Sequence, residues 1–185
     1  MKYLIAGLGN IGAKYADTRH NAGFLALDTL AAAFGARFET ETLGDIATLR
    51  HKGRTLVLLK PSTYMNLSGK AVRYWLQKAG VPKEQLLVVV DDIHLPFGQL
   101  RLRLKGSDAG HNGLKSVDQL TGGQDYARLR IGIGNQFHKS QQVEYVLGEW
   151  TGTEKDALPG ILDKAAQGIQ AFCTLPAAQA MNQVN

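Results

Sequence analysis

The sequence predicts an α/β fold, a single-domain three-layer α/β/α sandwich around a central mixed β-sheet. Three observations lead there. Short apolar runs ended by glycine or proline alternate with segments of helical periodicity. One run, Leu86-Leu87-Val88-Val89-Val90, is apolar without interruption, as expected of a strand covered by helices on both faces. Three closely spaced strand signals between residues 36 and 60 can pair as hairpins, which makes the sheet mixed rather than purely parallel.

Taken in order, Lys2–Gly7 is short, apolar and closed by glycine, and reads as a strand. Within Asn21–Phe34 the apolar positions Phe24, Leu27, Leu30 and Ala31 have helical spacing, with Gly35 as the stop. Ala36–Glu41, Asp45–His51 and Arg54–Lys60 follow as strands, separated by the turn residues Gly44 and Gly53, and Pro61 ends the last. A helix is expected from about Asn66 to Ala79, with Gly80 at its C-terminal end and Pro82 beyond. After the Leu86–Val90 strand, Gln99–Lys105 sets Arg101, Arg103 and Lys105 against Leu100, Leu102 and Leu104, a strand with one basic face. Gly113–Leu120 reads as a short helix, Ala127–Ile133 as a strand, and Gln141–Leu147 and Glu154–Phe172 as helices. Pro159 is expected to kink the last helix or delay its start.

Composition narrows the function classes. The chain has 185 residues, enough for one domain over 1–185 with a sizeable core. At 44% apolar and 20% charged residues it is not a disordered chain. A single cysteine excludes a disulfide framework, no CxxC or His/Cys cluster suggests zinc, and the apolar runs are too short to span a membrane. The stretch before Gly7 is too short for a signal peptide, so a soluble cytoplasmic protein is expected. The formal charge is +5, and it is unevenly spread. Residues 1–140 carry 19 Lys/Arg against 11 Asp/Glu, whereas residues 141–185 carry 2 against 5. A basic body suits a polyanionic partner. The acidic C-terminal segment is either a helix beside a cleft or a cap on the fold.

Gly7-Leu8-Gly9-Asn10-Ile11-Gly12 matches the G-x-G-x-x-G pattern of dinucleotide folds, but the context opposes that use. A pyrophosphate needs a helix N-terminus inside the motif, and the helical period begins only near Asn21. Glycines that let the backbone pass close to a neighbour are the alternative. A set of polar residues then stands out at the ends of elements: Asn10, Tyr15, His20, Asn66, Asp91, Asp92, His111 and Asn112. Singly, Asn66 and Asn112 are explained as N-caps and the aspartates as turn residues. Together they make a coherent chemistry. Histidine takes a proton near neutral pH, a carboxylate fixes its tautomer, and amides orient water or stabilise an oxyanion. There is no serine nucleophile elbow, and Cys173 lies in a helical segment, so a histidine-activated water is the economical nucleophile.

These residues sit in recognisable stretches. Gly7–Asn10, Tyr15 and Thr18–Gly23, then KPSTYMNLSGKAV (Lys60–Val72), resemble the first two signatures of the bacterial peptidyl-tRNA hydrolase family. Asp91-Asp92, Leu95-Pro96, Gly98 and GHNGLKS (Gly110–Ser116) resemble its third, and RLRIGIG (Arg128–Gly134), YVLG (Tyr145–Gly148) and Ala180-Met181-Asn182 continue the match. The resemblance implies hydrolysis of the ester joining peptide to tRNA, which recycles tRNA from aborted translation. It also implies a monomeric cytoplasmic enzyme without metal or cofactor that engages the acceptor stem and 3′ end of peptidyl-tRNA. Carried over by position, His20 is the catalytic base and Asp91 its partner. Asn10 and Asn112 complete the catalytic group, with Asn112 orienting the water or the substrate carbonyl. Asn10 and Asn66 line the cleft, and Tyr15, Tyr64 and Met65 flank the terminal nucleotide or the peptide. Lys105 and Arg130 clamp the tRNA 5′ phosphate, and Arg101 and Arg103 extend the basic surface.

The chain departs from the family pattern at four places. Ile11 stands for a proline, His94 for an aspartate, Ala109 for a glycine, and Asn135-Gln136 for a basic-proline pair. None removes a proposed catalytic residue. The alternative function is a non-catalytic RNA-binding protein on the same scaffold, which would need the basic strand but not His20 and Asp91. A dinucleotide-dependent oxidoreductase is disfavoured by the loop after Gly12.

Overall fold

Runs of alternating or continuous apolar residues become seven strands of one sheet: β1 (Lys2–Gly7), β2 (Glu39–Glu41), β3 (Gly44–His51), β4 (Arg54–Pro61), β5 (Leu86–Asp92), β6 (Leu100–Arg103) and β7 (Ala127–Gly132). The computed structural model describes residues 1–185. The strand order is β2-β3-β4-β1-β5-β7-β6. β4, β1, β5 and β7 run parallel, and antiparallel pairs at both edges make the sheet mixed, as expected.

Alternation along the central strands builds two cores. Ile5, Leu87 and Val89 face α1 (Ala22–Ala33), α5 (Gly152–Thr174) and α6 (Ala177–Val184). Leu4, Ala6, Leu86, Val88 and Val90 face α2 (Ser68–Ala79) and α3 (Asn112–Thr121). Both faces of β5 are therefore covered, which is what its uninterrupted apolar run requires. The remaining helix, the short α4 (Gln142–Val146), lies outside these layers. No helix is long and apolar enough to cross a membrane.

The G-x-G-x-x-G stretch serves helix–strand packing. A Cβ on Gly7 would lie 2.4 Å from the Gly23 carbonyl oxygen, and one on Gly23 would lie 2.4 Å from that of Val89. Only hydrogen atoms fit at this crossing of α1 over β1 and β5. Beyond Gly12 the chain makes a 3₁₀ turn (Ala13–Tyr15), and α1 waits until Ala22, so no helix N-terminus lies within the motif.

Several boundaries differ from expectation. The strand expected over 36–41 is paired only at Glu39–Glu41, and the basic strand ends at Arg103, leaving Lys105 in the following loop. Helix α2 begins at Ser68, after a 3₁₀ turn over Met65–Leu67. Helix α5 starts at Gly152 on a capping box made by Thr151 and Glu154, and it runs through Pro159. Pro159 is exposed, so the carbonyl its ring leaves unpaired can be hydrated. Helix α6 has no counterpart among the expected elements. Its neighbour Asn185 accepts a hydrogen bond from the Leu102 N–H (2.7 Å) and donates to the Leu102 carbonyl (3.2 Å), satisfying the outer edge of β6. Residues 152–184 thus cap the fold, while α4 reaches the cleft described next.

Candidate active site

Parallel strands bring their C-terminal ends to one edge, and the polar residues collect there. Asn10 follows β1, Met65 follows β4, and Asp91 is near the end of β5. His20 sits in a 3₁₀ turn (Arg19–Asn21) leading into α1. His111 and Asn112 begin α3. Loop 104–111 brings them back to this edge, pinned where the Ser107 carbonyl accepts from Arg130 Nη2 (2.6 Å) and Arg128 Nη1 (3.4 Å).

The centre of the site is Asp91, whose side chain is 2% exposed. His20 Nδ1 lies 2.9 and 2.8 Å from its two oxygens, and His111 Nε2 lies 2.9 Å from Oδ1. The tautomers follow from the remaining partners. His111 Nδ1 accepts from the Gly113 and Leu114 N–H groups at 3.1 and 3.4 Å and caps α3, so its proton is on Nε2 and is donated to Asp91. His20 donates from Nδ1, which leaves Nε2 as the unprotonated atom, without a protein partner, in a ring that lines the cleft. The rings stand 5.0 Å apart, centroid to centroid.

Burial alone would raise the Asp91 carboxyl, but the two imidazoles outweigh it and hold it well below the usual carboxylate range. Burial alone would lower the His20 imidazole, but the charge and hydrogen bond of Asp91 outweigh it and hold it above its ordinary 6.5. His20, Asp91 and His111 turn potential metal ligands within 4.8 Å of one another. The donor set does not suit a cation, because the His111 atom facing the carboxylate carries the proton that its N-capping role forces on it.

His20, Asp91, Asp92, His94, Asp108, His111, Asn112 and Arg130 line one cleft, closed on another side by Gln142, Val143 and Val146 of α4. Neither Asn66 nor Asn112 is an N-cap; His111 has that role for α3, and both asparagines are exposed. Asn10 belongs to an adjoining patch. Its Oδ1 accepts from the Met65 N–H at 2.7 Å, and its backbone is gripped on both sides by the buried side chain of Asn21. Tyr15 and Tyr64 form an edge-to-face pair at 6.4 Å near Lys14. The patches meet at Gly113, where an added Cβ would press on both Met65 Sδ and His111 Cε1. His94 also lines the cleft, and its Nε2 is 3.0 Å from the carbonyl oxygen of Ala109, which is held at a φ of 51°.

The cations fall in two classes. Register sets Arg101 opposite Arg130 and Arg103 opposite Arg128, so four arginines share one face of β6 and β7. Arg128 and Arg130 are buried, and Arg130 Nη1 lies 3.8 Å from Asp92. Arg101 and Arg103 have no carboxylate partner, and Arg103 and Lys105 are exposed. Like charges directly opposite across strands repel, and an external polyanion relieves that repulsion.

A family model described as peptidyl-tRNA hydrolase matches residues 4–185. The chain belongs to the peptidyl-tRNA hydrolase family. It is 53% identical over 185 residues to the peptidyl-tRNA hydrolase of Porphyromonas gingivalis, covering 100% of both chains. The crystal structure of peptidyl-tRNA hydrolase from Acinetobacter baumannii superimposes with a TM-score of 0.93 at 35% identity, covering 99% of this chain and 94% of that one. A 5′-methylthioadenosine nucleosidase from Arabidopsis thaliana shares only the fold, at TM-score 0.54 and 8% identity over 97% of this chain and 98% of that one. Sequence reasoning singles out His111 among the polar residues at element ends but assigns it no separate role, and it places Arg19 and Asn21 only within a motif. The glycines on either side of His111-Asn112 are the available signal for His111.

An imidazole acts as a base only when neutral, and Asp91 favours the His20 cation. We therefore expect kcat/KM to rise with pH through an apparent pKa above 6.5. Asp91→Asn should move that limb to lower pH and lower its plateau. A pH–rate profile of both proteins checks this, and an unmoved limb would detach Asp91 from His20.

Proposed function

We propose that this chain hydrolyses the ester between peptide and tRNA in peptidyl-tRNA, with His20 as the general base. The observation that carries the assignment is the paired tautomer arrangement, which leaves one unprotonated imidazole nitrogen at the cleft. Water held near Nε2 attacks the ester carbonyl carbon as Nε2 takes its proton. Asp91 stabilises the imidazolium without taking the proton itself. The side-chain amide of Asn112, with no cap to form, is free to orient the water or bind the developing oxyanion. Collapse breaks the bond to the 3′ oxygen of the ribose, and the imidazolium returns the proton to that oxygen. The products are a peptide with a free carboxyl group and tRNA with a free 3′ hydroxyl.

Asn10, Asn66, Met65, Tyr15 and Tyr64 would hold the peptide backbone and the terminal nucleotide. Substrate peptides vary in sequence, and amides that grip the backbone are indifferent to side chains. Arg101, Arg103 and Lys105 would take tRNA phosphates. Arg130 would act at the inner end of that surface, because its guanidinium is already engaged with Ser107 and Asp92. Residues 1–185 as one catalytic domain, acting as a cytoplasmic monomer without metal, complete the proposal.

Cleavage of an N-blocked aminoacyl-tRNA by the wild type and His20→Ala tests the base. The variant should lose at least about 100-fold in rate. Near-wild-type turnover by the variant would remove His20 from the mechanism, and no turnover by the wild type would favour the RNA-binding alternative. Affinity for tRNA should fall steeply with added salt. Arg101→Ala with Arg103→Ala should reduce the slope of log K against log salt by about one for each phosphate no longer neutralised. A salt-independent affinity would place the binding surface elsewhere.

A further inference from the structure

Arg19 precedes the base, yet its side chain points away from the carboxylate into the opposite wall of the cleft. It is 7% exposed. Its Nη1 donates to the Tyr145 carbonyl at 3.0 Å, its Nη2 bonds Glu154 Oε1 at 3.0 Å, and its Cζ lies 4.2 Å from the centroid of the Tyr145 ring. Its backbone N–H donates to the Gly148 carbonyl at 3.0 Å, and Thr18 bridges to Glu149. The Tyr145 hydroxyl in turn donates to the Ile133 carbonyl at 2.6 Å. One buried guanidinium therefore ties three things together: the turn that presents His20, the end of α4, and the first turn of α5.

Two features suggest that this guanidinium serves geometry more than stability. Its Nε is buried with no hydrogen-bond partner, a cost that a well-packed apolar side chain would not incur. Helix α4 is only five residues long, and its Val143 is 68% exposed, so it has little packing of its own. Yet Gln142, Val143 and Val146 line the same cleft as His20.

We propose that Arg19 is a positioning residue for the hydrolysis, fixing the His20 turn and the α4 wall of the cleft in one register. The proposal rests on His20 being the base. The planar fork of arginine matters here, because it reaches a carbonyl and a carboxylate while stacking on a ring, and a lysine ammonium cannot do all three.

The test compares wild type, Arg19→Ala, Arg19→Lys and Glu154→Gln on N-blocked aminoacyl-tRNA, with kcat, KM and Tm measured separately. Glu154→Gln removes the charge facing Arg19 but keeps an oxygen able to accept from the Thr151 N–H, so the α5 cap survives. Misplaced catalytic geometry should lower kcat by about tenfold or more in Arg19→Ala, with Arg19→Lys recovering less than about half of that loss and Glu154→Gln losing roughly two- to fivefold, all at temperatures well below Tm. A purely structural role would lower Tm and leave kcat alone. If Arg19→Ala does not fold, the other two variants decide: wild-type kcat in both overturns the proposal. His20→Ala in the same assay separates the two readings. An active His20→Ala sinks the base assignment, whereas an inactive one beside fully active Arg19 variants sinks only this inference.

Discussion

A carboxylate almost sealed from water must be compensated or it will take up a proton. Asp91 is compensated by two imidazole N–H groups from distant parts of the chain, His20 before α1 and His111 before α3. The compensation works in both directions. The imidazoles keep Asp91 ionised, and ionised Asp91 dictates which nitrogen of His20 is protonated. His111 differs from His20 because its other nitrogen is already occupied by the first N–H groups of α3. The same carboxylate thus meets one histidine spent on structure and one left with a free basic nitrogen.

Much of the surrounding structure delivers those two rings to Asp91. The Gly7–Gly23 crossing lets α1 lie close to the sheet, which sets the height of the His20 turn. Asn21 closes the loop after β1 by holding both backbone groups of Asn10. Arg128 and Arg130 pin the Ser107 carbonyl and bring loop 104–111 back to the active edge. In each of these loops a polar side chain satisfies backbone groups. The arginines on β6 and β7 serve two ends at once. The inner pair shapes the loop, and the outer pair leaves positive charge facing outward beside the His20–Asp91 cluster.

Local pattern carried the scaffold. Continuous apolar β5 implied cover on both faces, and hairpin spacing over 36–60 implied a mixed sheet; both features are present. Patterns failed where the determining contact is remote in sequence. The 36–41 segment looks extended, but only three of its residues find a partner on β3. Helix α6 (AAQAMNQV) has few large apolar residues, and its helical form shows only once it packs under α5. Asn66 and Asn112 stand where N-caps are expected, and only the geometry shows that His111 took the α3 cap and left Asn112 free. The family resemblance named His20 and Asp91 from their motifs. The third member, His111, stands among the polar candidates, but its bond to Asp91 is not legible because nothing local ties it to a carboxylate 20 residues earlier. The pairing of Arg101 with Arg130 likewise depends on strand register, which no single segment encodes.

Opposite tautomers, imposed on two histidines around one carboxylate, are the core of the mechanism we propose. Nitrogen-15 NMR of the histidine rings above the His20 pKa reads them directly. The prediction is Nδ1–H with a bare Nε2 at His20, and Nε2–H with a bare Nδ1 at His111. A bare Nδ1 at His20, or the same tautomer at both rings, would contradict the assignment of His20 Nε2 as the base.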